Sequence, residues 1–247
     1  MSLSEVRYYS QALQKATSTF VIHPDLEVKR PYHCMLLLHG LSDDHSMWQR
    51  RTSIERYVAD KPLVVVMPDG GRGFYVDALQ GFSYLQAIAY ELPEVINHHY
   101  TIDGDWCTAG LSMGGYGAFR VALERPDIFK SAVSHSGAML IGRHYPSKDP
   151  SKQLSKWDEE FLPVFGDVTP GGKNDLVELA SKASPCPALR FDCGTSDFLL
   201  ESNRTLTKEL TELGIEHEYQ EFPGDHNWEY WDEHIQEAIA FNLRNLG

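Results

Sequence analysis

The segment GLSMGGYGA, from Gly110 to Ala118, is the part of the sequence whose residue types point most directly to chemistry. It contains the pattern G-x-S-x-G with Ser112 at its centre, after a segment typical of a strand and before one typical of a helix. Glycine tolerates the strained backbone that such a tight turn requires. The turn exposes the serine hydroxyl beside a helix N-terminus, where N–H groups favour developing negative charge. The pattern therefore predicts a nucleophile at Ser112.

A serine nucleophile needs a histidine base, and after this kind of turn the chain order is Ser, then Asp or Glu, then His. His226, in PGDHNW, follows the last predicted strand and fits that order. His135 comes too early in the chain. His217 and His234 fall inside a predicted strand and a predicted helix, where we expect surface positions. His226 is therefore the expected base.

The carboxylate that orients the base is expected in DCGTSDFLL. Asp192 lies within a predicted strand, whereas Asp197 lies in the loop beyond its carboxyl end and can reach a histidine on the neighbouring loop. Asp225 is a poor candidate because it is adjacent to His226, and neighbouring side chains on one loop seldom face each other. Asp197 is therefore predicted as the third member, and the alternative for this residue is a helix N-cap.

An acyl-transfer reaction also needs N–H donors for the negative oxygen of the tetrahedral intermediate. One donor is expected from the residue after the nucleophile, the backbone of Met113. The other is expected from the loop after an early strand, where HGLS places the backbone N–H of Leu41. Both predicted donors are main-chain groups.

The segments that must position these residues alternate between strand and helix patterns. The apolar runs HCMLLLHG and PLVVVMPDGG are typical of strands covered on both faces. With 247 residues and 42% hydrophobic content, the chain fits one domain over residues 1–247. We expect an α/β fold with a mainly parallel sheet and helices on both faces. Residues 138–184 lack the alternation and are expected to form an insertion or lid over the site.

The composition of the chain limits the classes of binding partner and the cellular location that we expect. The formal net charge of −13 argues against nucleic acid and anionic membrane surfaces. No apolar stretch is long enough to cross a bilayer and no leader pattern is present, so the sequence predicts a cytoplasmic protein. The four cysteines show no metal or disulfide spacing and are expected to be mostly buried thiols. Asp43, Asp44 and His45 have the spacing of a solvated loop, so no metal is expected.

Four stretches together resemble the tributyrin esterases: HGLSDDHSMWQRRTSIERY, VVVMPDGGRGFYVDALQGFSY, LSMGGYGAFRVALERPDIF and GTSDFLLESN. These belong to the wider esterase D group, which also holds S-formylglutathione hydrolases, feruloyl esterases and mycolyltransferases. The resemblance covers nearly the whole chain. It implies an α/β-hydrolase fold and a carboxylesterase of small short-chain acyl esters without a cofactor. It carries the same five residues over: Ser112, Asp197 and His226 as the triad, Leu41 and Met113 as the oxyanion donors.

Several alternatives stay open. Trp48 and Tyr75 are expected to line the substrate pocket or to pack over the end of the sheet. A thioesterase like the S-formylglutathione hydrolases and an acyltransferase would use the same residues, and an inactive binding module is the alternative from another class. The sequence also leaves a homo-oligomer open.

Overall fold

The computed structural model describes residues 1–144, 155–166 and 168–247. Within this part of the chain, eight strands form one sheet. The strands are β1 (Ser2–Ser10), β2 (Lys15–His23), β3 (His33–Leu38), β4 (Leu63–Pro68), β5 (Trp106–Leu111), β6 (Phe129–His135), β7 (Ala188–Gly194) and β8 (His217–Phe222). Their order is β1-β2-β4-β3-β5-β6-β7-β8, and β2 runs antiparallel to its two neighbours while all pairs from β4 to β8 are parallel.

Helices cover both faces of the sheet. On one face lie α1 (Met47–Arg51), α2 (Ile54–Val58) and α9 (Trp228–Arg244). On the other lie α3 (Leu92–His99), α4 (Met113–Glu124), α5 (Ile141–His144), α6 (Lys156–Phe165), α7 (Leu176–Lys182) and α8 (Leu200–Glu212). This arrangement confirms the predicted α/β fold with a mainly parallel sheet.

The central strands are apolar because both of their faces are covered. All six residues of β3 are buried, and so are all six residues of β4. Successive side chains of a strand point to opposite faces. Leu36 and Leu38 accordingly lie in the core cluster that includes residues of α3 and α4, whereas Met35 and Leu37 lie in the one that includes residues of α9. The carboxyl ends of these strands carry the loops in which the sequence places its candidate residues.

Two features differ from the sequence-based expectations or extend them. The β1–β2 hairpin was not predicted, because β1 exposes one face and is largely polar. Pro93 lies in the first turn of α3, directly after a π-helical segment over Gln86–Glu91. Proline has no N–H to donate, so the helical path lacks one backbone hydrogen bond at this residue.

His234 was expected at the surface, and this expectation is wrong. Its side chain is only 5% exposed because α9 packs its ring on Phe222 of β8, with ring centroids 4.3 Å apart. His217 is partly buried, with Nε2 hydrogen-bonded to the Thr207 hydroxyl at 2.6 Å. Residue type and helical periodicity alone did not distinguish a histidine on the packed face from one facing solvent.

Candidate active site

Ser112 links the end of β5 to the start of α4 in a strained turn. Its φ is +52° and its ψ is −115°, a conformation that residues other than glycine rarely adopt. Both sides of the residue are fixed, because its N–H donates to the His135 carbonyl at 2.9 Å and its carbonyl accepts from the Tyr116 N–H at 3.1 Å. The surrounding structure therefore holds the hydroxyl in one place despite the strain.

The glycines around Ser112 allow strand and helix to approach closely. A Cβ on Gly110 would lie 2.2 Å from the Gly114 carbonyl oxygen. A Cβ on Gly114 would lie 2.3 Å from the Leu38 carbonyl oxygen of the neighbouring strand. Both distances are shorter than any real contact, and both neighbours are backbone atoms. The glycine-rich segment is thus required for packing as well as for the turn.

The structure brings Ser112, His226 and Asp197 together in a hydrogen-bonded series. Nε2 of His226 lies 3.0 Å from Oγ of Ser112, and Nδ1 lies 2.8 Å from Oδ2 of Asp197. His226 stands between β8 and α9, and Asp197 between β7 and α8. All three residues follow the carboxyl ends of parallel strands, where such a sheet gathers its functional loops.

The Asp197 carboxylate is fully buried as a side chain. Besides His226, it accepts the Leu199 N–H on Oδ1 at 2.8 Å, so it combines contact to the histidine with an Asx-type turn before α8. Burial raises the pKa of Asp197, but the hydrogen bonds from His226 and Leu199 outweigh burial, and its pKa lies below the ordinary value. A charged carboxylate beside Nδ1 keeps the proton on that nitrogen and leaves Nε2 free to accept from Ser112.

A second histidine–aspartate pair lies beneath the turn. Nδ1 of His135 is 2.9 Å from Oδ2 of Asp192, and the Tyr230 hydroxyl donates to Oδ1 of Asp192 at 2.9 Å. The side chains of His135 and Asp192 are completely buried and do not line the cavity that holds Ser112. The structure therefore separates this pair from the pair that contacts the serine.

Leu41 and Met113, the predicted donors, line the same cavity as Ser112. The Met113 N–H belongs to the first turn of α4, where helical N–H groups have no acceptor within the helix. In the described part of the chain, the Leu41 N–H donates to no backbone or side-chain acceptor. Both groups are thus available at the wall beside the serine.

The cavity over Ser112 has a volume of about 760 Å³. Its wall is largely apolar and aromatic, and includes Met47, Phe74, Ala138, Ile141, Trp157, Phe161, Phe198, Leu199, Trp228 and Trp231. The rings of Phe198 and Trp231 lie against His226, with centroids 4.6 and 5.0 Å from the imidazole. An apolar wall around a few polar groups is typical of a small-molecule site.

Trp48 and Tyr75, the aromatic residues predicted as pocket candidates, do not line this cavity in the structure. Both are fully buried. The Trp48 indole N–H donates to the Leu38 carbonyl at 3.0 Å, and the Tyr75 hydroxyl donates to the His39 carbonyl at 3.0 Å. The structure thus agrees with the alternative left open by the sequence, packing over the end of the sheet.

Sequence reasoning missed several residues that do line the cavity. Trp157 and Phe161 of α6 are spaced by four, which places them on one helix face and could have indicated a shared contact. Arg72 was also missed: its guanidinium forms a two-point ion pair with Glu160 of α6, including Nη2 to Oε2 at 2.9 Å, and donates from Nη1 to the Leu41 carbonyl at 3.2 Å. Nothing in the local sequence around Arg72 indicated this contact.

Among the described residues, no group of three or more His, Cys, Asp or Glu side chains could hold a metal ion. In the same part of the chain, no helix is long and apolar enough to span a bilayer. Cys34, Cys107 and Cys193 are buried free thiols, whereas Cys186 is exposed.

Comparisons with known proteins identify the family and the fold. The family model Esterase, described as "Putative esterase", matches residues 10–241. The acetyl esterase of Caldicellulosiruptor saccharolyticus is 26% identical over 98% of both chains. The fluorophosphonate-binding serine hydrolase FphF of Staphylococcus aureus is 28% identical over 98% of both chains, with a TM-score of 0.85.

The S-formylglutathione hydrolase FrmB, also of Staphylococcus aureus, is likewise 28% identical over 98% of both chains, with a TM-score of 0.83. The fold is that of the α/β-hydrolases, and the activity is that of a carboxylic ester hydrolase using a serine. The chain belongs to the Esterase family, in its esterase D-like group.

Proposed function

We propose that this serine esterase hydrolyses short-chain acyl esters through a triad of Ser112, His226 and Asp197. The observation that carries the proposal is the hydrogen bond of 3.0 Å between Nε2 of His226 and Oγ of Ser112, on a turn in which Ser112 has a φ of +52°. The carboxylate on the other side of the ring completes the arrangement that activates a serine.

The reaction has two halves. The Ser112 hydroxyl gives its proton to Nε2 of His226 as Oγ attacks the ester carbonyl carbon, and the carbonyl electron pair moves onto the oxygen. The N–H groups of Leu41 and Met113 stabilise that oxyanion. Collapse expels the alcohol, which takes the proton from His226, and leaves an acyl group on Ser112. Water then repeats the sequence, with His226 as base, and releases the carboxylic acid.

The substrate class rests on three supports. The cavity of about 760 Å³ has room for a small ester and is lined mainly by apolar side chains. A relative that matches over nearly its full length is an acetyl esterase. The chain also resembles the tributyrin esterases in the four stretches quoted above. The proposed reaction needs no cofactor, because the triad and two backbone N–H groups supply the nucleophile, the base and the oxyanion donors.

An insertion beside the cavity is part of the proposal. Residues 138–184 are proposed to form an insertion of a single domain that partly covers the cavity; Ala138, Ile141, Trp157 and Phe161 from its described parts line the wall.

The proposed location is the cytoplasm, because the buried free thiols fit a reducing compartment. The net charge of −13 fits a small-molecule substrate rather than nucleic acid.

The proposal is tested with p-nitrophenyl acetate, butyrate and octanoate, together with labelling by a fluorophosphonate. We expect kcat/KM to be highest for acetate or butyrate and the label to map to the peptide carrying Ser112. A preference for octanoate would contradict the short-chain assignment. A label on another residue would contradict the triad.

A thioester substrate is the second candidate, because the S-formylglutathione hydrolase of Staphylococcus aureus shares 28% identity over 98% of both chains. The same serine would expel a thiolate instead of an alkoxide. Rates with S-formylglutathione and p-nitrophenyl acetate, compared on one enzyme preparation, distinguish the two. A kcat/KM for the thioester far above that for the ester would favour this candidate.

A further inference from the structure

His39 lies directly after β3 and before the loop that carries Leu41, and its side chain is 1% exposed. It does not line the cavity. Its ring nevertheless holds two loops at the carboxyl end of the sheet: Nδ1 lies 2.7 Å from the Gly40 carbonyl oxygen, and Nε2 lies 2.9 Å from the Gly70 nitrogen. Gly70 follows β4, so the ring bridges the loops after two neighbouring strands.

These contacts define the tautomer. The Gly70 N–H can only donate, so Nε2 of His39 must accept and carries no proton. Nδ1 of the neutral ring therefore carries the hydrogen and donates to the Gly40 carbonyl. The Asp69 carboxylate lies 3.7 Å from Nε2, beyond hydrogen-bond distance, and its Oδ1 accepts the Gly71 N–H at 2.9 Å.

The Gly40 carbonyl and the Leu41 N–H belong to one peptide unit. Because a trans peptide is planar, its C=O and N–H point in opposite directions, and holding one fixes the direction of the other. A donor on the carbonyl also polarises the unit and strengthens its N–H as a donor. The Asp43 N–H approaches the same carbonyl at 3.2 Å, a longer contact than the one from His39.

We propose that His39 is a positioning residue for the oxyanion hole: its Nδ1–H holds the Gly40–Leu41 peptide so that the Leu41 N–H faces the carbonyl oxygen of the substrate. This inference rests on the proposed function, since it assigns the Leu41 N–H to the oxyanion. In the described part of the chain, His39 makes no hydrogen bond to Ser112, and its side chain does not line the cavity. It acts by fixing the direction of a donor that is needed more in the transition state than in the ground state.

Tyr75 provides a matched control within the same hydrogen-bond set. Its hydroxyl donates to the carbonyl of His39, which belongs to the preceding peptide unit and not to the one that carries the Leu41 N–H. Tyr75→Phe therefore removes one buried hydrogen bond next to His39 but leaves the donor to Gly40 in place. If His39 served only the stability of the fold, His39→Leu and Tyr75→Phe would both lower the free energy of unfolding and neither would lower kcat.

The test measures kcat and KM for p-nitrophenyl butyrate, with the urea midpoint, for wild type, His39→Leu, His39→Asn and Tyr75→Phe. An oxyanion donor is worth about 10²–10³ in rate, so we expect kcat of His39→Leu to fall by up to that factor with KM little changed. Asn places an amide N–H near the position of Nδ1, so His39→Asn should recover most of kcat. Tyr75→Phe should lower the urea midpoint and keep the wild-type kcat.

His39→Leu that folds and keeps wild-type kcat would overturn the inference, and so would an equal loss of kcat in His39→Asn and His39→Leu. If His39→Leu does not fold, His39→Gln replaces it, because Gln can meet the Gly70 N–H but leaves the Gly40 carbonyl without a side-chain donor. We then expect kcat of His39→Gln to be about tenfold or more below that of His39→Asn. Equal values contradict the inference, whereas an inactive wild type contradicts the proposed function instead.

Discussion

Asp192 lies within β7 and Asp197 in the loop that follows it, yet each accepts from a different histidine. Asp197 lies 2.8 Å from Nδ1 of His226, at the cavity, and Asp192 lies 2.9 Å from Nδ1 of His135, in the interior. The two pairs have the same chemistry and nearly the same distance. The hydrogen bond between His226 and Ser112, and the place of His226 at the cavity, distinguish the pair proposed to act in catalysis from the buried pair.

The first prediction follows from that separation. Asp197→Asn removes the charge that fixes the His226 tautomer, and we expect kcat for p-nitrophenyl butyrate to fall by about 10⁴-fold. Asp192→Asn is the matched change in the buried pair and should leave kcat of the folded enzyme within error of wild type. Steady-state kinetics on both variants check this. If kcat fell in Asp192→Asn but not in Asp197→Asn, the assignment of Asp197 and His226 as the catalytic pair would be contradicted.

The second prediction concerns stability. The Tyr230 hydroxyl donates to the buried Asp192 carboxylate, and Tyr230→Phe leaves that oxygen with one donor fewer. Losing a hydrogen-bond partner of a buried polar group costs about 1–3 kcal/mol in the free energy of unfolding. Urea denaturation measures this cost.

Tyr57→Phe is the control for Tyr230→Phe. The Tyr57 hydroxyl donates to Asp232 at 3.0 Å in a partly exposed position, and Asp232 keeps the Ser53 N–H as a second donor. Its loss should therefore be the smaller of the two. An equal or larger loss in Tyr57→Phe would contradict a special role for the buried set around Asp192.

The third prediction concerns acid. Hydrogen bonds from His226 and the Leu199 N–H outweigh burial and hold the pKa of Asp197 below its ordinary value, so the folded state binds this proton less readily than the unfolded state. The stabilisation by Asp197 is thus present above the pKa of an unfolded aspartate, about 3.9, and is lost as pH falls through the lower folded-state pKa. The difference in the free energy of unfolding between wild type and Asp197→Asn should therefore shrink from pH 7 to pH 3. A difference that grows in acid would contradict this sign.

The fourth prediction concerns Arg72, which joins Glu160 of α6 to the Leu41 carbonyl. The ion pair is half exposed, so Arg72→Ala should change the free energy of unfolding by less than about 1 kcal/mol. We expect kcat/KM for p-nitrophenyl butyrate to fall by about tenfold, because Arg72 then no longer holds the loop that carries Leu41 and helix α6 beside the cavity. Arg204→Ala is the control, since Arg204 pairs with Glu221 at similar exposure away from the cavity. Equal kinetics in the two variants would contradict a role for the Arg72 link.

The sequence predicted the parts of the fold and of the site that depend on local chemistry. Glycine spacing indicated the turn at Ser112, and chain order placed Asp197 and His226 on loops that the sheet brings together. The buried strands β3 and β4 followed from their continuous apolar runs. Each of these predictions needed only the period of an element or the chemistry of a turn.

The missing parts depend on contacts between segments far apart in the chain. Arg72 and Glu160 meet only because α6 returns over the loop after β4, and no local pattern encodes that approach. His234 has the same residue type as an exposed histidine, and its burial follows from the ring of Phe222. The role proposed for His39 required the direction of two backbone groups, which composition and spacing do not contain.

The most direct test of the central claim is kcat for p-nitrophenyl butyrate in wild type and Ser112→Ala, with Ser42→Ala as control. Ser42 also lines the cavity but, among the described residues, makes no hydrogen bond to His226. We expect Ser112→Ala to lose about 10⁶-fold in kcat, down to the assay background, and Ser42→Ala to stay close to wild type. Equal turnover in wild type and Ser112→Ala would contradict the assignment of Ser112 as the nucleophile.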